Sequence, residues 1–225
     1  SIFGIQNRGG LTEMTNTENY IELYNEAAVN DNALLPADQQ ILHRKLIPAD
    51  YAQSLPDVDY LDAIFRTATL QQYHIGISGS ADNTTYNISG GYFDQEGILL
   101  GSAYNKLTGK VSLNSEIKSW LNTGVNLNVY KDNNQIVGSS GDGFGGNGGS
   151  AIRYAFFRSP AIAVYNEDGT YVDLPEKPGF FGDGYNPVGL LNNTDNNKEN
   201  NGIFGDINFK LDFTEHLSLV STFGL

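Results

Sequence analysis

Short runs of alternating apolar and polar residues recur along this chain. Over 70–79, Tyr73, Ile75 and Ile77 alternate with His74, Gly76 and Ser78. Over 85–93, Tyr86, Ile88, Gly90 and Tyr92 fall on one parity. Over 104–113, Leu107, Val111 and Leu113 oppose Lys106, Lys110 and Ser112. Over 120–130, Leu121, Val125, Leu127 and Val129 oppose Asn122, Asn126 and Asn128. Two further runs follow at 202–213 and 217–225. Successive side chains of a strand point to opposite faces, so each run predicts a strand with one apolar and one wet face. Ser1-Ile2-Phe3-Gly4-Ile5 already reads as strand.

The connections between these strands segregate by length. Those at 80–84, 114–119 and 214–216 are short and fall at one end. Those at 94–102, 131–201 and 7–69 fall at the other, and two of them are very long. Runs of about 10 residues with this alternation, joined by short turns on one side and long loops on the other, are the signature of an outer-membrane β-barrel. The expected fold is all-β: an antiparallel up-and-down transmembrane barrel segment whose long extracellular loops, at about 7–69 and 131–201, carry short helices. Sequential strands should pair as one meander. Because the chain opens on a strand and stops within another, it reads as a piece of a longer protein, and six or seven strands are not expected to close a barrel alone.

The insertions carry helical signals. Thr15-Asn16-Thr17-Glu18 fits a capping box, and Tyr20, Ile21, Tyr24, Ala27 and Ala28 follow at helical spacing, ending near Asp31 and Asn32. A second helix is predicted over 57–66, with Tyr60, Leu61, Ile64 and Phe65 on one stripe. In the second insertion a Gly/Ser/Asn tract at 138–150 precedes a helix at 151–158, stopped by Pro160. A hairpin then turns through Asn166-Glu167-Asp168-Gly169, where Asp-Gly favours positive φ. The polar stretch 192–201 reads as a mobile loop.

Composition narrows the function classes. The chain of 225 residues has 26 Asp and Glu against 13 Lys and Arg, which argues against a nucleic-acid partner. It has no Cys, hence neither disulfides nor thiolate chemistry. It is rich in aromatics and in glycine, with 13 Tyr, 12 Phe and 26 Gly, which suits a barrel with polar loops. No run approaches the ~18 apolar residues of a transmembrane helix, but barrel strands, each half polar, escape that test.

Several strings resemble the SusC/RagA-like TonB-dependent outer-membrane transporters of Bacteroidetes. They are Tyr60-Leu61-Asp62-Ala63-Ile64-Phe65-Arg66-Thr67, Gln72-Tyr73-His74-Ile75-Gly76-Ile77-Ser78-Gly79, and Tyr86 through Gly90-Gly91-Tyr92-Phe93-Asp94-Gln95-Glu96-Gly97-Ile98. Asn25-Glu26-Ala27-Ala28 and the stretch from Pro160 through Val164-Tyr165-Asn166-Glu167-Asp168-Gly169 look like the family too. The resemblance implies a nutrient-uptake transporter in the bacterial outer membrane, a large barrel with a plug, importing glycan or peptide fragments. It also implies three kinds of partner: a SusD-like surface lipoprotein, TonB acting through an N-terminal part absent from these residues, and outer-membrane lipid. The plug and the remaining strands lie outside these residues.

No catalytic constellation stands out, so the expected activity is transport rather than turnover, without cofactor or metal. His43, His74 and His216 lack partners at metal-ligand spacing and read as structural, with His74 facing the lumen. The tract at 138–149 lacks the Lys-Ser/Thr ending of a phosphate loop. Asn166-Glu167-Asp168-Gly169 reads as a turn rather than a calcium loop. Aromatics crowd the second insertion, and Tyr154, Phe157, Arg158, Tyr165 and Tyr185 are the candidates for binding a sugar or peptide. The competing reading is that these aromatics pack the loop. Trp120, at the short-turn end, reads as an interfacial anchor, and Lys106, Lys110, Asp206, Lys210 and Asp212 read as a solvated lumen wall. The alternative for the whole chain is a soluble or surface-attached β-rich glycan-binding module. In such a sandwich the uncharged band of Tyr73, Ile75, Val111, Val125, Leu127 and Ile207 would meet a second sheet.

Overall fold

A computed structural model of the chain describes residues 1–10, 13–36, 38, 45–137, 150–175, 177–182 and 184–225. Seven strands form one antiparallel sheet in sequential order: β1 (Ile2–Gln6), β2 (Ala68–Ala81), β3 (Thr84–Glu96), β4 (Ala103–Lys118), β5 (Leu121–Gln135), β6 (Asn197–Thr214) and β7 (Leu217–Gly224). Every neighbour in the sheet is the neighbour in sequence, as the meander reading requires. The sheet is open, with β1 and β7 at its edges. The connections at 82–83, 119–120 and 215–216 are tight turns, and those at 7–67, 97–102 and 136–196 lie at the opposite end. At the first turn Asp82 takes φ 49°, a conformation that Asp tolerates better than most residues.

Register gathers the apolar residues onto one face. Directly opposed residues of an antiparallel pair share a face. Ile77, Ile88, Val111 and Leu127 form one cross-strand row. Ile75, Gly90, Gly109, Val129 and Ile203 form the next, and Tyr86, Leu113, Val125, Ile207 and Phe223 form another. The opposite face carries Gln72, His74, Lys106, Lys110, Asn126 and Asn128. No second sheet covers the apolar face among the described residues, so Ile75 stands 73% and Ile203 63% exposed.

The strands run further than hydrophobic alternation shows. β5 continues to Gln135 and β6 begins at Asn197, so Lys131–Gln135 pair with 197–201. This corrects the mobile-loop expectation for the last five residues of 192–201. Both faces are polar there, so the period-2 signal vanishes although the ladder continues. Lys131 pairs with Glu199 at 2.9 Å, and the Asn200 amide donates to Asp132 at 2.8 Å.

Almost all buried apolar side chains lie in the connections. Among the described residues the helices are α1 (Thr17–Ala33), α2 (Ala49–Ala52), α3 (Tyr60–Ile64), α4 (Ala151–Phe157), α5 (Pro178–Phe181) and α6 (Pro187–Asn193). One cluster joins Tyr60, Leu61 and Ile64 of α3 to Leu99, Ala155 of α4 and Leu191 of α6. A second joins Ile47, Ala161, Ile162 and Phe181, with Tyr20, Ile21 and Tyr24 of α1 packed against it. The two insertions, 7–67 and 136–196, thus fold together at one end of the sheet.

Local chemistry moved several predicted boundaries. Asn16, not Thr15, caps α1, accepting from the Asn19 N–H at 2.9 Å. Thr17 is recruited elsewhere: its N–H donates to Asp57 and its hydroxyl to the Pro56 carbonyl. α1 runs through Asp31 and Asn32 to Ala33, and Ala27 is exposed while Ala28 is fully buried. α3 is shorter than 57–66. Asp59 caps it, Val58 is held extended by its N–H to the Pro160 carbonyl, and Arg66 N–H donates to Ile98. Phe65 leaves the helix to bridge Leu99. The glycine-rich tract at 138–149 and His43 lie outside the described residues. Ser150, at the tract's end, caps α4.

Candidate functional site

The loop unit is organised around Arg158, immediately after α4. Its side chain is buried, at 5% exposure. Nε donates to the Tyr60 hydroxyl at 3.0 Å, and Nη1 donates to the Asp173 carbonyl at 3.1 Å and to that of Gly184. Nη2 donates to the Val172 carbonyl. The guanidinium carbon also sits 5.5 Å from the centre of the Tyr60 ring. Tyr60 in turn donates to the Ile162 carbonyl at 3.0 Å. One cation, at the end of α4, therefore fastens α3 of the first insertion to two further segments of the second, at Val172–Asp173 and at Gly184. Burial raises the Tyr60 pKa above its usual value, and the neighbouring Arg158 opposes that shift.

Asn186 completes this frame. Its carbonyl oxygen caps α6, accepting from the N–H groups of Val188 and Gly189, while its amide donates to the Val164 and Val172 carbonyls. Pro187 occupies the first helical turn. The Asn-Pro pair is a recognisable helix start, although α6 lies outside the alternating runs. α2 follows Pro48 and α5 starts at Pro178, but neither has a side-chain cap, and each is a single turn held by its neighbours.

The five candidate ligand contacts separate on this frame. Arg158 points inward with its donors on protein acceptors. Phe157, Tyr165 and Tyr185 stand 72%, 51% and 61% exposed. Tyr154 is half-buried and meets Tyr185 edge-to-face, with ring centres 5.5 Å apart. Tyr165 packs against Tyr171 across the hairpin at 5.2 Å, and Arg153 lies over Phe157 at 5.2 Å. Other loop aromatics are internal: Phe181 is buried, Phe180 and Phe181 pack on Tyr24 and Tyr20, and the Tyr20 hydroxyl donates to the Phe180 carbonyl.

In the hairpin, Gly169 adopts φ 82°, and Asp168 accepts from the Thr170 N–H and hydroxyl at 2.9 and 2.6 Å. Those two bonds lower the Asp168 pKa. Among the described residues no group of three His, Cys, Asp or Glu side chains is placed to hold a metal, and no helix is long and apolar enough to cross a membrane.

Known proteins match this chain in part. TonB-dependent receptor P3 of Formosa agariphila is 30% identical over 138 residues, 61% of this chain and 14% of that protein. TonB-dependent receptor SusC of Bacteroides thetaiotaomicron is 27% identical over 198 residues, 79% of this chain and 19% of that protein. The chain thus spans under a fifth of the length of either receptor. Two solved structures, of the RagAB peptide importer in a closed-closed state and of the RagAB peptide transporter, superpose over 99% of this chain. Their TM-scores are 0.70 and 0.71 at 21% and 20% identity, with 26% and 27% of those chains covered. No protein-family model matches. In sequence this chain is similar to part of the SusC-like TonB-dependent receptors, and it shares the fold of the RagAB chains over nearly every residue, as seven barrel-type strands and their loops.

Proposed function

We propose that the chain is part of the wall and outer mouth of a transporter in the bacterial outer membrane that imports nutrient oligomers, glycan or peptide fragments, with energy relayed by TonB. The apolar face meets lipid, the polar face lines the lumen, and both insertions lie outside the cell. The observation that carries this reading is the uncharged apolar band. It is continuous across the cross-strand rows, has no protein partner among the described residues, and lies on strands whose tight turns all fall at one end. Exposing so large an apolar surface to water is unfavourable, whereas lipid removes the penalty.

The strand extensions beyond the band fit the same placement. Lys131–Gln135 and 197–201 are polar on both faces and belong above the membrane. Phe157, Tyr165, Tyr185 and Tyr154 then face the entry side, available to cargo or to a SusD-like lipoprotein closing over it. Arg158 supports that surface from within. The plug and TonB contact belong to parts of the transporter outside this stretch. Transport requires no placed acid, base or nucleophile, and the matched relatives are receptors and transporters rather than enzymes.

Single-cysteine labelling tests the orientation, since the chain has no native Cys. In intact cells, a membrane-impermeant maleimide should label Phe157→Cys and Glu199→Cys but not Asn83→Cys. Labelling of Asn83→Cys alone would reverse the topology. Solubility of the apolar-faced protein without detergent would favour the soluble module instead.

A further inference from the structure

We propose that the β3–β4 connection, 97–102, is a peg that locks the loop unit to the sheet, so that the two insertions form a fixed rim of the mouth and not a gate that opens. That this rim is a mouth rests on the import reading, whereas the lock rests on contacts made wholly within this stretch of chain. Insertions of this length invite the opposite expectation, because long loops commonly serve as lids.

The apex of the peg is buried. Leu99 is 7% exposed and belongs to the core built by Tyr60, Leu61 and Ile64 of α3, Ala155 of α4 and Leu191 of α6. Backbone bonds hold it from the α3 side: the Leu100 N–H donates to the Ile64 carbonyl at 3.0 Å, and the Arg66 N–H to the Ile98 carbonyl at 2.8 Å. The Arg66 side chain clasps both ends of the connection, with Nε donating to the Gly97 carbonyl at 3.1 Å and Nη2 to the Ser102 carbonyl at 3.2 Å. Within the connection the Gly97 N–H donates to the Ser102 carbonyl at 2.9 Å and the Ser102 hydroxyl to the Leu99 carbonyl at 2.6 Å, so the peg keeps its own shape.

A second attachment lies beside it. Val137, just past the end of β5, is 5% exposed in the same core. Gly101 fits between the two attachments and α6. It takes φ 76°, and a Cβ added there would meet Val137 Cγ1 at 3.1 Å and the Leu191 carbonyl oxygen at 3.2 Å. Only glycine suits both the backbone and the space.

These contacts leave no hinge. A swing of the loop unit about the end of the sheet would draw Leu99 and Val137 out of the core together and break both backbone bonds to the peg. Exposed apolar area and unmade hydrogen bonds both oppose it. The consequence for function is preorganisation: α4 carries Phe157, and its neighbour Tyr185, at a fixed height over the strands, so binding there does not have to order the surface first.

Pulsed spin-label distance measurement on the complete transporter in detergent tests the lock. Keto-reactive spin labels on unnatural side chains replace Ile77 of β2 and Phe157 of α4, which leaves cysteine chemistry available in a chain without Cys. The otherwise native protein should give one narrow distance. Gly101→Val should broaden or split it by wedging the peg from α6. Gly169→Val, at φ 82° but with nothing within 4 Å of an added Cβ, carries similar backbone strain and should leave it unchanged. Phe65 and Leu99 are bridge partners flanked by the two backbone bonds. Such a pair has Cα atoms about 4.5 Å apart, within disulfide reach. A Phe65→Cys/Leu99→Cys disulfide should therefore form and narrow the Gly101→Val distribution again, which an unfolded loop unit would not show. A broad or double distance in the native protein would overturn the lock. So would a Gly101→Val distribution equal to the native one, or a broadening that the disulfide leaves in place. The measurement needs no cargo, so its failure is distinct from failure of the import reading, on which the labelling of intact cells reports.

Discussion

The loop unit and the sheet obey opposite rules. In the loop unit, apolar side chains are enclosed: Leu61 and Ile64 are 1% and 0% exposed, and Leu191 is 1%. In the sheet, side chains of the same chemistry stand open, and Ala68 is the one buried apolar residue of the strands among the described residues. The loop unit is assembled as a water-soluble domain is, by burying apolar area. The sheet is held by its ladders and by whatever solvates its apolar face. On the placement proposed above, water and lipid are the two solvents behind these two packing rules.

Arg158 offers the sharpest way to break the loop side alone. Arg158→Met should destabilise it by at least ~3 kcal/mol, because three carbonyls and the Tyr60 hydroxyl lose a buried donor. Limited proteolysis should then cleave the insertions while the strands remain protected. Equal loss of both regions would mean that the two are one cooperative unit.

Leu191→Ala should cost the loop unit about 2–5 kcal/mol through the cavity it opens. The matching truncation on the sheet, Ile75→Ala, should cost far less by protease protection, since Ile75 fills no core. On the sheet the informative change is charge. Val125→Arg should cost ~2–4 kcal/mol in a lipid environment and Asn126→Arg little, read as assembled barrel on a gel. Equal tolerance would remove the two-solvent distinction.

The smallest expected effect is a pH dependence confined to the loops. The folded pKa of Tyr60 lies above its unfolded value of 10.0. Its contribution is therefore complete below pH 10 and fades as pH rises towards the folded value. Protease protection of the insertions should loosen above pH 10 before that of the strands, and Tyr60→Phe should abolish the difference.

Much of this was legible beforehand because alternation and turn spacing are local. The seven strands, their sequential pairing, the helix at Ala151–Phe157 and the Asp168-Gly169 hairpin all follow from residues close in sequence. The polar ends of β5 and β6 escaped because a strand wet on both faces has no hydrophobic period. The helix over 57–66 shrank to Tyr60–Ile64 because Pro160 and Ile98 claim the backbone on either side.

The candidate site divided along the same line. An exposed aromatic and a core aromatic are the same letter, so Phe181 and Phe157 could be told apart only by what packs on them. Arg158 resembled a ligand contact because a charged residue among aromatics usually faces water. Its partners, Tyr60 and the Val172, Asp173 and Gly184 carbonyls, lie 98, 14, 15 and 26 residues away. The sequence by itself determined the strands, their faces and their order, because these depend on near neighbours and the pleat. Only the tertiary structure decided which loop residues became core and which surface, because that depends on contacts between insertions that the chain order keeps apart.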